Sequence, residues 1–233
     1  MPAYRTLHAS IAIAGVADLR IRSLLDRQQF HDPQGQAERL GISSAAWPLF
    51  GMPWPSGLQL AARLAQRPVR AGERILEVGC GLALASLVGH RRGADVTASD
   101  CHPLASSFLR ANLRLNRLPP LNYRHGHWGR EAAARSSSSS SSIVRDRYDL
   151  IIGSDLLYER DPTGGLARFI GRHGSASAEV WIVDPDRGNR AAFTRHMAAQ
   201  GFGCGEERID VAAPAVVSAY KGRLLTYRRG GPA

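Results

Sequence analysis

The sequence predicts an α/β fold: a doubly wound, mostly parallel sheet, preceded by a helical extension and closed by an antiparallel hairpin. Three observations carry this reading. From Glu73 onward, short apolar runs alternate with amphipathic helical stretches, the pattern of βαβ units. A glycine-bearing loop, Gly79-Cys80-Gly81, falls where the first of those strands gives way to its helix. Near the end, two extended segments follow one another with no helix between them, as at an antiparallel sheet edge.

The elements follow in order. Up to about Leu40 the chain reads as helical and amphipathic, with Leu19, Arg20, Ile21, Leu24 and Leu25 mixing apolar and charged positions. The apolar stretch 11–16 is short and reads as core rather than as a leader. Asp32-Pro33 and Gly35 then break the chain. The proline- and aromatic-rich segment 47–57 excludes a regular helix or a central strand. Ser56 is the expected N-cap of a helix over 58–65. Strands are expected at 74–78, 95–99, 121–126, 148–153 and 180–183, and helices at 82–90, 103–116, 163–173 and 189–200. The closing hairpin is expected from 205–211 and 216–227. One domain over residues 1–233 results, with 1–68 as a helical and proline-rich extension and 69–233 as the core. A serine run at 136–142 cannot bury apolar surface, so 135–143 is expected to be a flexible loop.

Composition narrows the class. No apolar run reaches the about 18 residues that span a bilayer, so no membrane segment is expected. Cys80, Cys101 and Cys204 are scattered, without the spacing of a metal site or a disulfide framework, and fit a reducing cytoplasm. His125 and His127 form a pair that no Cys, Asp or Glu nearby completes, so no metal is expected. The net charge is +10 and almost wholly arginine, since Lys221 is the single lysine. That excess is either a solvated basic surface or an attraction for an acidic protein or a nucleic acid.

The chemistry concentrates at strand ends. Glu77-Val78-Gly79-Cys80-Gly81 lets the backbone approach a ligand at a helix N-terminus. The carboxylate before the glycines would repel a pyrophosphate, and Leu84 stands where a dinucleotide fingerprint needs Gly or Ala. The loop suits a ligand carrying both an ammonium and a carboxylate. Asp100, 23 positions after Glu77, ends the next strand, where an acid can accept hydrogen bonds from ribose hydroxyls. Asp155-Leu156-Leu157-Tyr158 opens at the carboxyl end of a buried strand.

With these residues the chain resembles the class I, seven-strand S-adenosylmethionine-dependent methyltransferases, and within them the branch of non-histone protein lysine methyltransferases. The likeness rests on Pro53-Trp54-Pro55-Ser56-Gly57, the Glu77–Gly81 loop, Trp128-Gly129 and Gly153-Ser154-Asp155-Leu156-Leu157-Tyr158. The resemblance implies a Rossmann-like sheet of seven strands and S-adenosylmethionine as cofactor. It implies that Trp54 closes over the cofactor, Glu77 lies near its ammonium, and Gly79, Cys80 and Gly81 contact its methionine part. Asp100 would hold the ribose, Trp128 would lie on the adenine, and Ser154 would line the pocket. Ala83 stands where a third glycine is often found.

The same resemblance makes Asp155 and Tyr158 the acceptor-handling pair, Asp155 orienting a lysine amine and Tyr158 shaping its channel. A lysine amine, with an ordinary pKa of about 10.4, must lose a proton before attack. Two leucines stand where many nucleic-acid amino-methylating enzymes carry prolines, which argues against flipped-base chemistry. A protein substrate is therefore expected, an acidic one fitting the charge, with the basic end of the chain (Arg208, Lys221, Arg223, Arg228, Arg229) as a dock. A small-molecule substrate with the same cofactor site, and a non-catalytic cofactor-binding module, are the alternatives. The protein is expected to be a monomer.

Overall fold

The computed structural model describes residues 4–128, 143–212 and 219–230. The serine run at 136–142 and Gly129 lie outside the described residues. The main sheet holds seven strands. They are β3 (Arg74–Val78), β4 (Asp95–Asp100), β5 (Asn122–His125), β6 (Tyr148–Ser154), β7 (Gly174–Asp184), β8 (Phe202–Val211) and β9 (Tyr220–Arg229), in the order β5-β4-β3-β6-β7-β9-β8. The first five in chain order run parallel, while β9 pairs antiparallel with both β7 and β8. The expected doubly wound sheet with a closing hairpin is thus present. The chain reverses its direction of travel between β3 and β6, which places a crevice at their carboxyl ends.

Both faces of the sheet are covered, so its strands are apolar almost throughout. Ile75, Leu150, Ile152, Trp181 and Val183 face one core cluster, shared with α2 (Pro55–Gln66), α3 (Leu84–Arg91) and α4 (Ala105–Leu115); the four-residue α1 (Gln36–Arg39) precedes them in the chain. The alternate residues Leu76, Val78, Ile151, Val180 and Ile182 face the other, shared with α5 (Gly165–His173) and α6 (Arg190–Ala199). Among the described residues no helix is long and apolar enough to cross a membrane.

The N-terminal part corrects the expectation of a helix. Residues Thr6–Ile13 form β1 and Val16–Leu24 form β2, an antiparallel pair turning at Ala14-Gly15, with Gly15 at φ +85°. Leu19, Ile21 and Ser23 are buried and the residues between them are more exposed, a period of two rather than 3.6. Of the proline-rich segment, Trp47–Gly51 is one 3-10 helix, and α2 begins at Pro55 rather than at Leu58. Ser56 is therefore inside the first turn and not the N-cap: its hydroxyl meets the Tyr220 hydroxyl at 3.0 Å. Proline in the first turn tolerates this start because that turn has no intrahelical acceptor for its N–H.

The hairpin is tied to the core by two asparagines of α4. Asn112 Oδ1 accepts the Arg22 N–H at 2.7 Å, and Asn116 exchanges two bonds with Arg20, accepting its N–H at 2.9 Å and donating to its carbonyl at 2.8 Å. Side-chain amides here replace the neighbouring strand that β2 lacks on that edge. Asn112 is fully buried. Asn112→Ala should leave backbone groups of Arg22 unpaired and cost about 1–3 kcal/mol in a urea titration. A midpoint equal to wild type would mean that the hairpin contributes nothing to the cooperative fold.

Candidate functional site

The crevice at the strand ends opens into a cavity of about 390 Å³. Every residue singled out for cofactor or acceptor lines it: Trp54, Glu77, Gly79, Cys80, Gly81, Asp100, Trp128, Ser154, Asp155 and Tyr158. Four carboxylates lie on its wall, Glu77, Asp100, Asp155 and Glu159, with no Arg or Lys among the described lining residues. A chain of net charge +10 has therefore built an acidic cavity.

The loop after β3 explains part of this geometry. Gly79 and Gly81 take φ +58° and +51°, and Ala83 follows at +59°. A Cβ at Gly79 would lie 2.5 Å from Leu156 Cδ2, and one at Gly81 would lie 2.8 Å from the Phe50 carbonyl oxygen. Glycine is needed at both positions for conformation and for space. Ala83 adopts the left-handed conformation without glycine's freedom, at a cost of roughly 1–2 kcal/mol.

Two buried acids hold the loop from below. The backbone N–H of Ser86, in the first turn of α3, donates to Glu77 Oε2 at 2.7 Å, and the Ser86 hydroxyl bonds to the same oxygen. Asp100 Oδ2 accepts the Gly81 N–H and Oδ1 accepts the His102 N–H, both at 2.8 Å. Each Asp100 oxygen keeps further lone-pair capacity toward the cavity. Burial pushes both carboxyls up, and backbone hydrogen bonds oppose it.

The walls come from three segments. The Trp54 indole N–H donates to the Leu49 carbonyl at 2.7 Å, and the Arg27 guanidinium lies 5.8 Å from its ring. Trp128 faces the Gly79 backbone and meets Phe169 edge-on at 6.3 Å. Asp155 lies just beyond β6 at φ +54°, its N–H donating to the Val183 carbonyl at 3.0 Å. Neither Asp155 oxygen has a well-aligned hydrogen-bond partner. Its charge is met by Arg187 Nη2, 3.2 Å from Oδ1, and the Ser56 hydroxyl faces it. Tyr158 is 46% exposed at the rim.

Sequence reasoning missed several residues here. His102 stacks on Phe50 with ring centroids 3.7 Å apart and planes 11° apart, and both line the cavity. Burial holds His102 at about 3, so the ring is neutral at physiological pH. Its only sequence signal was its place two residues after Asp100. Leu156, the first leucine of the Asp155 motif, packs against Gly79 and Gly153. Arg187, by contrast, belongs to the charged stretch Asp184-Pro185-Asp186-Arg187, which the sequence offers either as a chain turn or as a substrate contact. The three histidines His102, His125 and His127 do not gather, and no group of metal-ligating side chains occurs among the described residues.

The acidic cavity fits a cationic ligand with hydroxyls and a flat ring. Glu77 and Asp100 suit an ammonium and a ribose, and Trp128 offers an apolar face. The fold is that of the class I methyltransferases, and the cavity suits S-adenosylmethionine. The chain belongs to the lysine methyltransferase family, whose model matches residues 52–198, more than half its length. It is 30% identical over 155 residues to the electron transfer flavoprotein beta subunit lysine methyltransferase of Danio rerio, covering 64% of this chain and 53% of that protein. It is 30% identical over 164 residues to the protein N-lysine methyltransferase METTL21A of Danio rerio, covering 68% and 63%. The chain thus spans a little over half of one relative and under two thirds of the other. Among solved structures, a methyltransferase from Pyrococcus furiosus superposes with a TM-score of 0.56 at 17% identity, covering 84% of this chain and 98% of that one. The T. Thermophilus 16S rRNA N2 G1207 methyltransferase, solved with AdoMet and guanosine, gives 0.58 at 17% identity, over 98% and 51%. At these identities the likeness is one of fold alone.

The buried Glu77 makes a pH prediction. Its carboxyl is pushed up to about 7 by burial, against an ordinary 4.5. Between those values the folded protein keeps a proton that the unfolded chain has lost, so this group's contribution to stability falls as pH rises. Melting curves from pH 4 to 8 should show wild type losing stability relative to Glu77→Gln across that window. Parallel profiles would mean that Glu77 titrates normally.

Proposed function

We propose that this chain transfers a methyl group from S-adenosylmethionine to an amine of a protein side chain, lysine first. The observation that carries the reading is the position of Asp155. Its carboxylate lines the cofactor cavity, while Tyr158 and Glu159 beside it are exposed at the rim. An amine on a larger molecule could reach Asp155 from that side, whereas a small molecule would call for an enclosed pocket. The family and the lysine methyltransferases among its relatives support the same acceptor.

The residue roles follow from the walls. Glu77 neutralises the cofactor's ammonium, and the Gly79-Cys80-Gly81 backbone follows its methionine part. Asp100 accepts the ribose hydroxyls, Trp128 covers the adenine, Ser154 closes the floor, and Trp54 shuts the N-terminal side. S-adenosylmethionine, when bound, supplies an electrophilic methyl group. Asp155 holds the acceptor nitrogen in line with it, and alignment is the larger part of the acceleration. Tyr158 shapes the channel as a neutral phenol, since burial, then Glu159, pushes its hydroxyl up to about 12.

An arginine acceptor is the second reading. The Asp155 carboxylate already accommodates a guanidinium, that of Arg187. A rat protein named histone-arginine methyltransferase METTL23 is 29% identical over 109 residues, covering 46% of this chain and 45% of that protein. An acidic protein as substrate is also part of the proposal: the chain is basic overall, while the cavity it would present to a target side chain is acidic.

The test is transfer of label from tritiated S-adenosylmethionine into lysate protein, followed by amino-acid analysis of the labelled band. Methyl-lysine supports the first acceptor and methyl-arginine the second. Label confined to small molecules would overturn the protein reading. Asp155→Ala should lower transfer on the order of 100-fold, with cofactor affinity within about twofold of wild type. Asp100→Ala should weaken cofactor binding by roughly tenfold or more in calorimetry. Unchanged affinity would remove Asp100 from the ribose.

A further inference from the structure

The structure points to a second residue at the acceptor end of the cavity. We propose that Arg187 is an internal stand-in for the substrate's cation: its guanidinium occupies the Asp155 carboxylate until the target side chain displaces it. This rests on the assignment of Asp155 as the acceptor-holding group.

The geometry is specific. The Asp155 side chain is only 11% exposed, whereas that of Arg187 is 43% exposed, so the guanidinium reaches inward from the rim. It lies 3.2 Å from Oδ1. Arg187 belongs to no helix or strand. It sits in the turn between β7 and α6, flanked by Asp186 at φ +67° and Gly188 at φ +88°. The turn's backbone is fixed independently of Asp155. Asp184 Oδ1 accepts the N–H groups of Asp186 and Arg187, at 2.8 and 3.2 Å. The Asp186 carboxylate is held by Arg223 at 3.1 Å and by Arg190 at 3.7 Å. The Arg187 side chain can therefore leave Asp155 without unmaking the turn.

Two cations on one carboxylate repel each other, a cost that water screens at the 44% exposed Asp186 and screens less at Asp155, which is 11% exposed. An ammonium arriving at Asp155 therefore competes with the guanidinium. The displaced Arg187 head group is 43% exposed and returns to water, while Asp155 keeps a cationic partner, so replacement costs little. An empty Asp155 would be a buried charge without a partner, which is costly. Arg187 thus keeps the acceptor site charged while no substrate is present. The site then admits a cation that brings additional contacts at the rim, and it disfavours small free amines. This argues for selection of a side chain presented by a folded or extended protein.

The experiment uses the full chain saturated with S-adenosylhomocysteine and titrates n-butylammonium, a lysine side-chain mimic, by calorimetry. If the guanidinium occupies Asp155 for most of the time, Arg187→Gln should tighten the apparent dissociation constant by roughly three- to tenfold. Arg187→Lys should restore the weaker binding. Asp155→Asn should weaken it in both the wild-type and the Arg187→Gln background. Equal or weaker binding by Arg187→Gln, with Asp155→Asn still harmful, would overturn the stand-in and leave the acceptor role of Asp155 standing. Binding that ignores Asp155→Asn, or is absent in every variant, would overturn both. Carbon NMR of the Asp155 carboxyl supplies a readout that a merely structural Arg187 would not move: Arg187→Gln should raise its titration midpoint. An unmoved midpoint would also overturn the stand-in.

Discussion

The site depends on one carboxylate, that of Asp100. Its two oxygens accept the Gly81 and His102 N–H groups, and so join the loop after β3 to the turn after β4. The Cys80 N–H, donating to the Ser99 carbonyl at 3.0 Å, adds a backbone tie between the first loop and β4. The Asp100 carbonyl extends the same joint, accepting from the Tyr123 hydroxyl at 3.0 Å and the Gly126 N–H at 3.2 Å. One residue thus gathers the carboxyl ends of three strands. Burying it is costly. The cost is offset locally by the two N–H donors, and a cationic ligand would offset more. An acidic cavity suits a ligand that brings the opposite charge.

The sheet was legible because it is buried on both faces. Runs such as 148–153 and 180–183 must be apolar on alternate residues of both parities, and glycine or proline marks where they stop. The N-terminal hairpin was misread for the converse reason. Leu19, Ile21, Leu24 and Leu25 satisfy a helical period nearly as well as a strand period. The deciding signal was the short link at Ala14-Gly15, bracketed by Ile13 and Val16, which reads as a two-residue hairpin turn. What makes β2 a strand is also remote in sequence: Asn112 and Asn116, some ninety residues on, supply its missing edge. No local pattern contains that information.

The residues that line the cavity were named from the sequence in two ways. Glu77, Gly79, Gly81 and Asp100 stood out by residue type and by place at a strand end, whereas Trp54, Trp128 and Ser154 came from the family resemblance. Relations between side chains could not be read. The Phe50–His102 stack and the seating of Leu156 on Gly79 join segments far apart in the chain. Trp54 shows the mixture: its place on the cavity was expected, whereas its indole bond to the Leu49 carbonyl shows that it also fixes the 3-10 segment.

Charge sorting completes the argument. The chain carries arginine almost everywhere except on the wall of the cavity, where carboxylates gather among the described residues. Among the described residues, Arg187 reaches the Asp155 carboxylate from the rim, on a turn anchored by Asp184. A permanently lining arginine would repel both a sulfonium and a lysine ammonium, and would cancel Asp155. An arginine that can withdraw does neither once the acceptor is present. Selection for a basic surface and an acidic cavity in one chain leaves the boundary between them as the place where such a residue can act, and the rim beside Tyr158 is that boundary.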